Sequence, residues 1–184
     1  MLKNDLFGVA TAALLSFEMP TGWFKAGSKP KSYEMGIEKG AGRDGKNVAT
    51  IQSTDKKIDG FGTLMQSCKP GKYLGKRVKM TGFVKSENVT TWAGLWLRVD
   101  QMGSNQPLSF DNMGDRPIKG TIDWTKFEIG LNVPNNASFI SYGGLLNGVG
   151  QIWFDNISFE IVDDIIPTTE SKIGEEPFNL DFEK

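Results

Sequence analysis

Trp92, Trp96 and Arg98 lie an even number of residues apart in an extended stretch, so their side chains share one face of a strand. Asp111, Asn112, Arg116 and Trp124 follow within a short distance along the chain. Together these residues have the makings of a concave binding site. The indoles offer flat apolar faces to a planar or sugar-like ring, and Arg, Asp and Asn meet hydroxyls with donors and acceptors. The same residues also read as interior, with both Trp rings filling a core and Arg98 ending in an ion pair with Asp100, Asp111 or Asp115. The strand leaves both readings open. Arg98 carries the most information, because a guanidinium among Trp, Ala, Gly, Leu and Val is costly unless carboxylates or ligand oxygens meet it.

Other chemistries find little support. The chain has 184 residues and no histidine, which removes Ser-His-Asp and Cys-His nucleophiles and His-ligated zinc. Its one cysteine, Cys68, makes neither an internal disulfide nor a thiolate cluster, and is expected as a small buried side chain. Lys plus Arg number 21 against 22 for Asp plus Glu, so there is no bulk positive field for nucleic acid or an anionic membrane. Gly40 to Asn47 comes one residue short of a phosphate-binding loop, but Val48-Ala49-Thr50-Ile51 after it reads as strand, where a helix N-terminus would be needed. Asp111 and Asp115 could be imagined as an acid/base pair for glycoside cleavage, yet Gly114 and Pro117 make that segment a turn.

The elements that must hold these residues read as strands. Lys76–Lys85 alternates Val78, Met80, Gly82 and Val84 against Arg77, Lys79, Thr81 and Phe83. Trp124–Val133 turns Phe127, Ile129, Leu131 and Val133 inward and stops at Pro134, which has no N–H for a ladder. Tyr33–Ile37, Asn47–Gln52, Phe61–Gln66, Thr91–Val99, Ser138–Leu146 and Gln151–Val162 read likewise, separated by turn sets such as Lys69-Pro70-Gly71 and Pro134-Asn135-Asn136. About nine short strands without helical pattern predict an all-β antiparallel sandwich or jelly roll. Leu6–Leu15 imitates a secretion signal, but Asp5 cancels Lys3 ahead of it, so the expectation is a lead-in and a cytoplasmic protein, with secretion the alternative. Three parts result: a lead-in at 1–14, the sandwich at 15–163, and a Glu/Thr/Pro-rich segment at 164–184. The last reads as a linker ending in an edge or swapped strand, and so as a route to a homodimer.

Thr21-Gly22-Trp23-Phe24-Lys25-Ala26-Gly27, Gly75-Lys76-Arg77-Val78, Trp92 to Asp100, Asp111 to Thr121 and Trp153-Phe154-Asp155-Asn156-Ile157 resemble a bacterial galactose-binding-like jelly-roll module over roughly residues 15–163. Such modules occur in transcriptional regulators behind an N-terminal helix-turn-helix, and beside hydrolase domains. The resemblance implies a sandwich related to carbohydrate-binding modules, without catalysis of its own. It also implies a structural calcium, with Glu18 and Asp155 at the matching ligand positions and carbonyls of the Glu38–Asp44 loop completing the shell. Asp155-Asn156 reads equally as a bulge or turn. No helix-turn-helix pattern precedes residue 15, so a role in transcription draws on another segment or partner.

The reading that unites these observations is a non-catalytic module that binds a carbohydrate or related small molecule, requires no cofactor, and acts as sensor of a transcriptional regulator. Alternatives are a protein–protein interaction module that dimerises through its tail, and an accessory domain of a hydrolase.

Overall fold

A computed structural model describes residues 16–170; residues 1–15, which contain the lead-in expected at 1–14, and residues 171–184 of the tail, with the edge or swapped strand expected at its end, lie outside the described residues. Among the described residues nine strands run β1 (Phe24–Gly27), β2 (Tyr33–Glu38), β3 (Val48–Ser53), β4 (Phe61–Cys68), β5 (Lys76–Asp100), β6 (Ser109–Asp111), β7 (Ile118–Val133), β8 (Phe139–Asn147) and β9 (Gln151–Val162). Every pairing is antiparallel.

The two strands expected at Lys76–Lys85 and Thr91–Val99 are halves of one 25-residue strand, β5. Its first half pairs with β9 and β7, its second with β8 and β6. One layer is therefore β2-β3-β9-β5-β7 and the other β1-β4-β8-β5-β6, with β5 common to both. The crossing is made by register shifts between Val84 and Ala93, with Asn88 in the left-handed region at φ 53°. Bulges sharpen twist and bend a strand, and side chains here take up the ladder bonds they interrupt. Ser86 Oγ donates to the Gly120 carbonyl at 3.0 Å, and the Asn88 N–H donates to Thr121 Oγ1 at 3.1 Å.

Between the layers pack Val78, Met80, Val84, Leu95, Leu97 and Val99 from β5, with Leu64, Ile129, Leu131, Ile140, Leu146, Ile152 and Phe154 from its neighbours. Gly144 is obligatory in this packing, because a Cβ there would stand 2.6 Å from the Phe154 ring. Phe127 is only half-buried against this core, near the corner of the sandwich. Tyr33 lies under the sheet with its hydroxyl donating to the Gly60 and Gly148 carbonyls, and burial pushes its pKa up to about 12. Cys68, expected to be buried, is exposed at the last residue of β4. Among the described residues no helix is long and apolar enough to cross a membrane.

Candidate functional site: a concave aromatic groove

Because Ala93, Leu95, Leu97 and Val99 enter the core, strand alternation sends Trp92, Trp96, Arg98 and Asp100 to the opposite face of β5. There they line a groove of about 870 Å³ over the outer surface of the β1-β4-β8-β5-β6 layer. β4 adds Phe61, Thr63, Met65 and Ser67; β8 adds Phe139, Ser141 and Leu145; β6 adds Phe110. The Gln101–Ser104 turn makes one rim, with Met102 72% exposed.

Trp96 is the floor. Its cross-strand neighbour on β8 is Gly143, where a Cβ would collide with the Leu64 carbonyl oxygen. With no side chain there, the indole lies across β8 and donates its Nε1–H to Thr63 Oγ1 on β4 at 2.8 Å, while Thr63 Oγ1 donates to the Gly144 carbonyl at 2.7 Å. Trp96 is thus 7% exposed with its polar atom spent, and presents an apolar surface. Trp92, only half-buried, lines the same groove four residues earlier on β5. Arg98 is held by Asp100, its Nε–H donating to both carboxylate oxygens at 2.8 and 2.9 Å, with Nη2 reaching the Asn105 carbonyl at 3.4 Å. The pair is partly open, at 35% and 19% side-chain exposure, and among the described residues these are the only ionisable side chains lining the groove. The site is therefore neutral overall, mostly apolar, and offers the remaining guanidinium N–H groups to an acceptor.

Of the seven residues singled out from sequence, Trp92, Trp96, Arg98 and Asn112 line this groove. Asp111, Arg116 and Trp124 do not. In the β5–β6 register Phe110 stands opposite Arg98 and faces the groove, while Asp111 stands opposite Leu97 and faces inward. The Asp111 carboxylate is 4% exposed, accepts the Met113 N–H at 2.7 Å, and is forked by Arg116 at 2.6 and 3.3 Å. Arg116 spends its other bonds on Asp115 at 2.8 Å and the Glu128 carbonyl at 3.2 Å. Burial works against its charge, but Asp111 and Asp115 outweigh that and raise its pKa. The two aspartates thus share one guanidinium and do not face each other across a cleft, which removes the glycosidase-like geometry. Trp124 lies on the part of β7 beside the first half of β5, near the corner of the sandwich and away from the groove.

The residues proposed for calcium do not fit a hard cation well. Glu18 Oε2 faces Lys39 Nζ at 3.7 Å, and Asp155 Oδ1 accepts the N–H of Asn156, a left-handed residue at φ 53°. Lys46, bound to Asp44 at 2.9 Å, also feels the Asp155 charge, and among the described residues no three Asp, Glu, His or Cys side chains converge. The Gly40–Asn47 segment is a loop leading into β3, not into a helix, and Arg43 stacks 3.5 Å above the Phe83 ring.

No family model matches the chain. The Bacillus subtilis (strain 168) protein YbfP, named as an uncharacterized HTH-type transcriptional regulator, is 42% identical over 168 residues, covering 89% of this chain and 57% of YbfP. The chain thus spans a little over half the length of that relative. The CBM22-1 xylan-binding domain of Paenibacillus barcinonensis Xyn10C superposes with a TM-score of 0.56 at 16% identity, over 79% of this chain and 89% of that one. A Fischerella sp. TAU Stig cyclase, Fisc, solved with a pyrrolidinylidene-indole compound, superposes at 0.53 and 14% identity, over 83% and 92%. The fold is that of the carbohydrate-binding jelly-roll modules.

Proposed function

We propose that this chain is a non-catalytic binding module whose concave groove takes a carbohydrate or related small molecule, and that it serves as the sensing part of a transcriptional regulator. The observation that carries the reading is the groove lining: Trp96 tied to Thr63 through its Nε1–H, half-buried Trp92 four residues earlier on the same face of β5, and Arg98 held through its Nε–H by Asp100. An apolar wall with a few oriented polar groups suits a ligand that has one flat apolar face and a rim of oxygens. The regulator role is supported by the name of the B. subtilis relative, and the carbohydrate by the name of the Paenibacillus domain.

Calorimetric titration with neutral xylo- and galacto-oligosaccharides tests it. Trp92→Ala should weaken the bound sugar about tenfold, roughly 1.4 kcal/mol, without lowering the melting temperature. A full set of oligosaccharides giving no heat would remove the carbohydrate. A second reading then takes its place, a flat apolar compound held by Phe61, Met65, Phe110 and Phe139, which the indole-type ligand of the cyclase favours. The sensing role requires that Trp92→Ala, in a chain joining this module to a helix-turn-helix, abolish the ligand response of transcription and leave DNA binding intact.

A further inference from the structure

The outward-facing residues of β4, β8 and β5 fall into rows across the groove, because the register sets them side by side. Phe61 and Trp92 flank Asn147, Thr63 lies opposite Leu145, and Met65 and Trp96 flank Gly143. The next row is Ser67, Ser141 and Arg98, with Phe110 beyond Arg98 on β6. From Trp92 to Trp96 the strand advances ~13 Å. Over that length the groove shows mainly aromatic and aliphatic surface, since Thr63 Oγ1 and Trp96 Nε1 are bonded to one another. The Ser67–Ser141–Arg98 row is different. Ser67 Oγ and Ser141 Oγ stand 2.8 Å apart with a single hydrogen between them, which leaves the second hydroxyl hydrogen and further lone pairs free. Arg98 spends Nε on Asp100 and Nη2 on the Asn105 carbonyl at 3.4 Å, and among the described residues Nη1 has no partner.

We propose, on the reading that this groove is the binding site, that its ligand is a glycoside with an apolar aglycone. One neutral sugar ring meets the Ser67–Ser141–Arg98 row, and the aglycone lies over Trp96 toward Trp92. The polar row crosses three strands, ~10 Å at the usual strand spacing, which suits a single ring whose hydroxyls both donate and accept. The head group is neutral because Asp100 already offsets the Arg98 charge, and an anion there would stand beside the Asp100 carboxylate. A chain of sugars is matched less well. Rings beyond the first would carry hydroxyls over Phe61, Met65 and Leu145, which strips their water and returns no hydrogen bond. A wholly apolar compound fails at the other end, where it would cover the free serine hydrogen and Nη1 without offering an acceptor.

Calorimetric titration of the full chain with octyl β-glucoside, β-galactoside and β-xyloside below their micelle-forming concentrations tests this, beside the matching methyl glycosides, xylo- and galacto-oligosaccharides, and 1-octanol. One octyl glycoside should bind at least about a hundredfold more tightly than its methyl counterpart and than the oligosaccharides, which bind weakly but measurably, and about tenfold more tightly than octanol. Replacing both serines, Ser67→Ala with Ser141→Ala, should weaken the octyl glycoside about tenfold and leave octanol binding and the melting temperature unchanged. Methyl glycosides or oligosaccharides that match the octyl glycoside would overturn the apolar aglycone and leave the carbohydrate reading standing. Octanol that matches it, or an octyl glycoside indifferent to the two serine changes, would overturn the sugar head and leave the flat apolar reading. No heat from any of these probes would overturn the glycoside and the groove's carbohydrate reading together.

Discussion

Replacing Asp111 by alanine separates a structural carboxylate from a working one. The side chain is 4% exposed and accepts three hydrogen bonds, one from the Met113 N–H at 2.7 Å and two from Arg116. Met113 is fully buried and sits at φ 60°, a conformation that a non-glycine residue keeps only when its surroundings hold it. Removing the carboxylate leaves the Met113 N–H buried without its acceptor, a loss of ~1.5–3 kcal/mol for a bond to a charged group. Arg116 fares better, since its side chain is 32% exposed and keeps Asp115 and the Glu128 carbonyl, so its share is ~1 kcal/mol or less. The expected cost is ~3 kcal/mol by urea unfolding with the slope unchanged, and Asp111→Asn, which retains an acceptor, should cost about half as much. Titration of a groove ligand should be unaffected by either. A stability loss below ~1 kcal/mol, or a weakened ligand with normal stability, would refute the assignment of Asp111 as an internal latch.

Arg98→Lys should change stability by less than ~1 kcal/mol, because its ion pair with Asp100 is partly exposed, while weakening groove ligands about tenfold through loss of the fork; a loss near 3 kcal/mol in urea would contradict this. The Tyr33 hydroxyl has its pKa pushed to about 12 from 10.0, so the unfolded chain releases this proton first. Stability is then full below about pH 10 and falls between pH 10 and 12, by up to ~1.4 kcal/mol per pH unit. Tyr33→Phe should lose that alkaline limb, and parallel pH slopes for the two proteins would exclude it. Millimolar calcium against EDTA is expected to leave the melting temperature unchanged, since lysines attend the candidate carboxylates; a clear rise would reinstate Glu18 and Asp155 as ligands.

Turns and alternation alone determined the class of fold. The expected bounds Gln151–Val162 are those of β9, and Ile129, Leu131 and Val133 are buried as their spacing requires, because one face of β7 is polar and leaves no choice of side. Two short strands, β1 and β6, escaped notice, since four and three residues carry no period. The joining of two expected strands into β5 could not be read either. The Ser86–Thr90 stretch looks like a break, and it continues as strand only because Gly120 and Thr121 of β7 take up the bonds lost at the bulges. The site was half legible. Even spacing grouped Trp92, Trp96 and Arg98, but with Ala93, Leu95 and Leu97 between them both faces of the strand are apolar, so hydrophobicity could not say which face was core. Neighbours distant in sequence decided it. Gly143 gives Trp96 room to reach Thr63, and the alignment of Asp111 with Leu97 turns that carboxylate inward and Phe110 toward the groove. Such choices rest on cross-strand register, which tertiary packing sets and local sequence does not record.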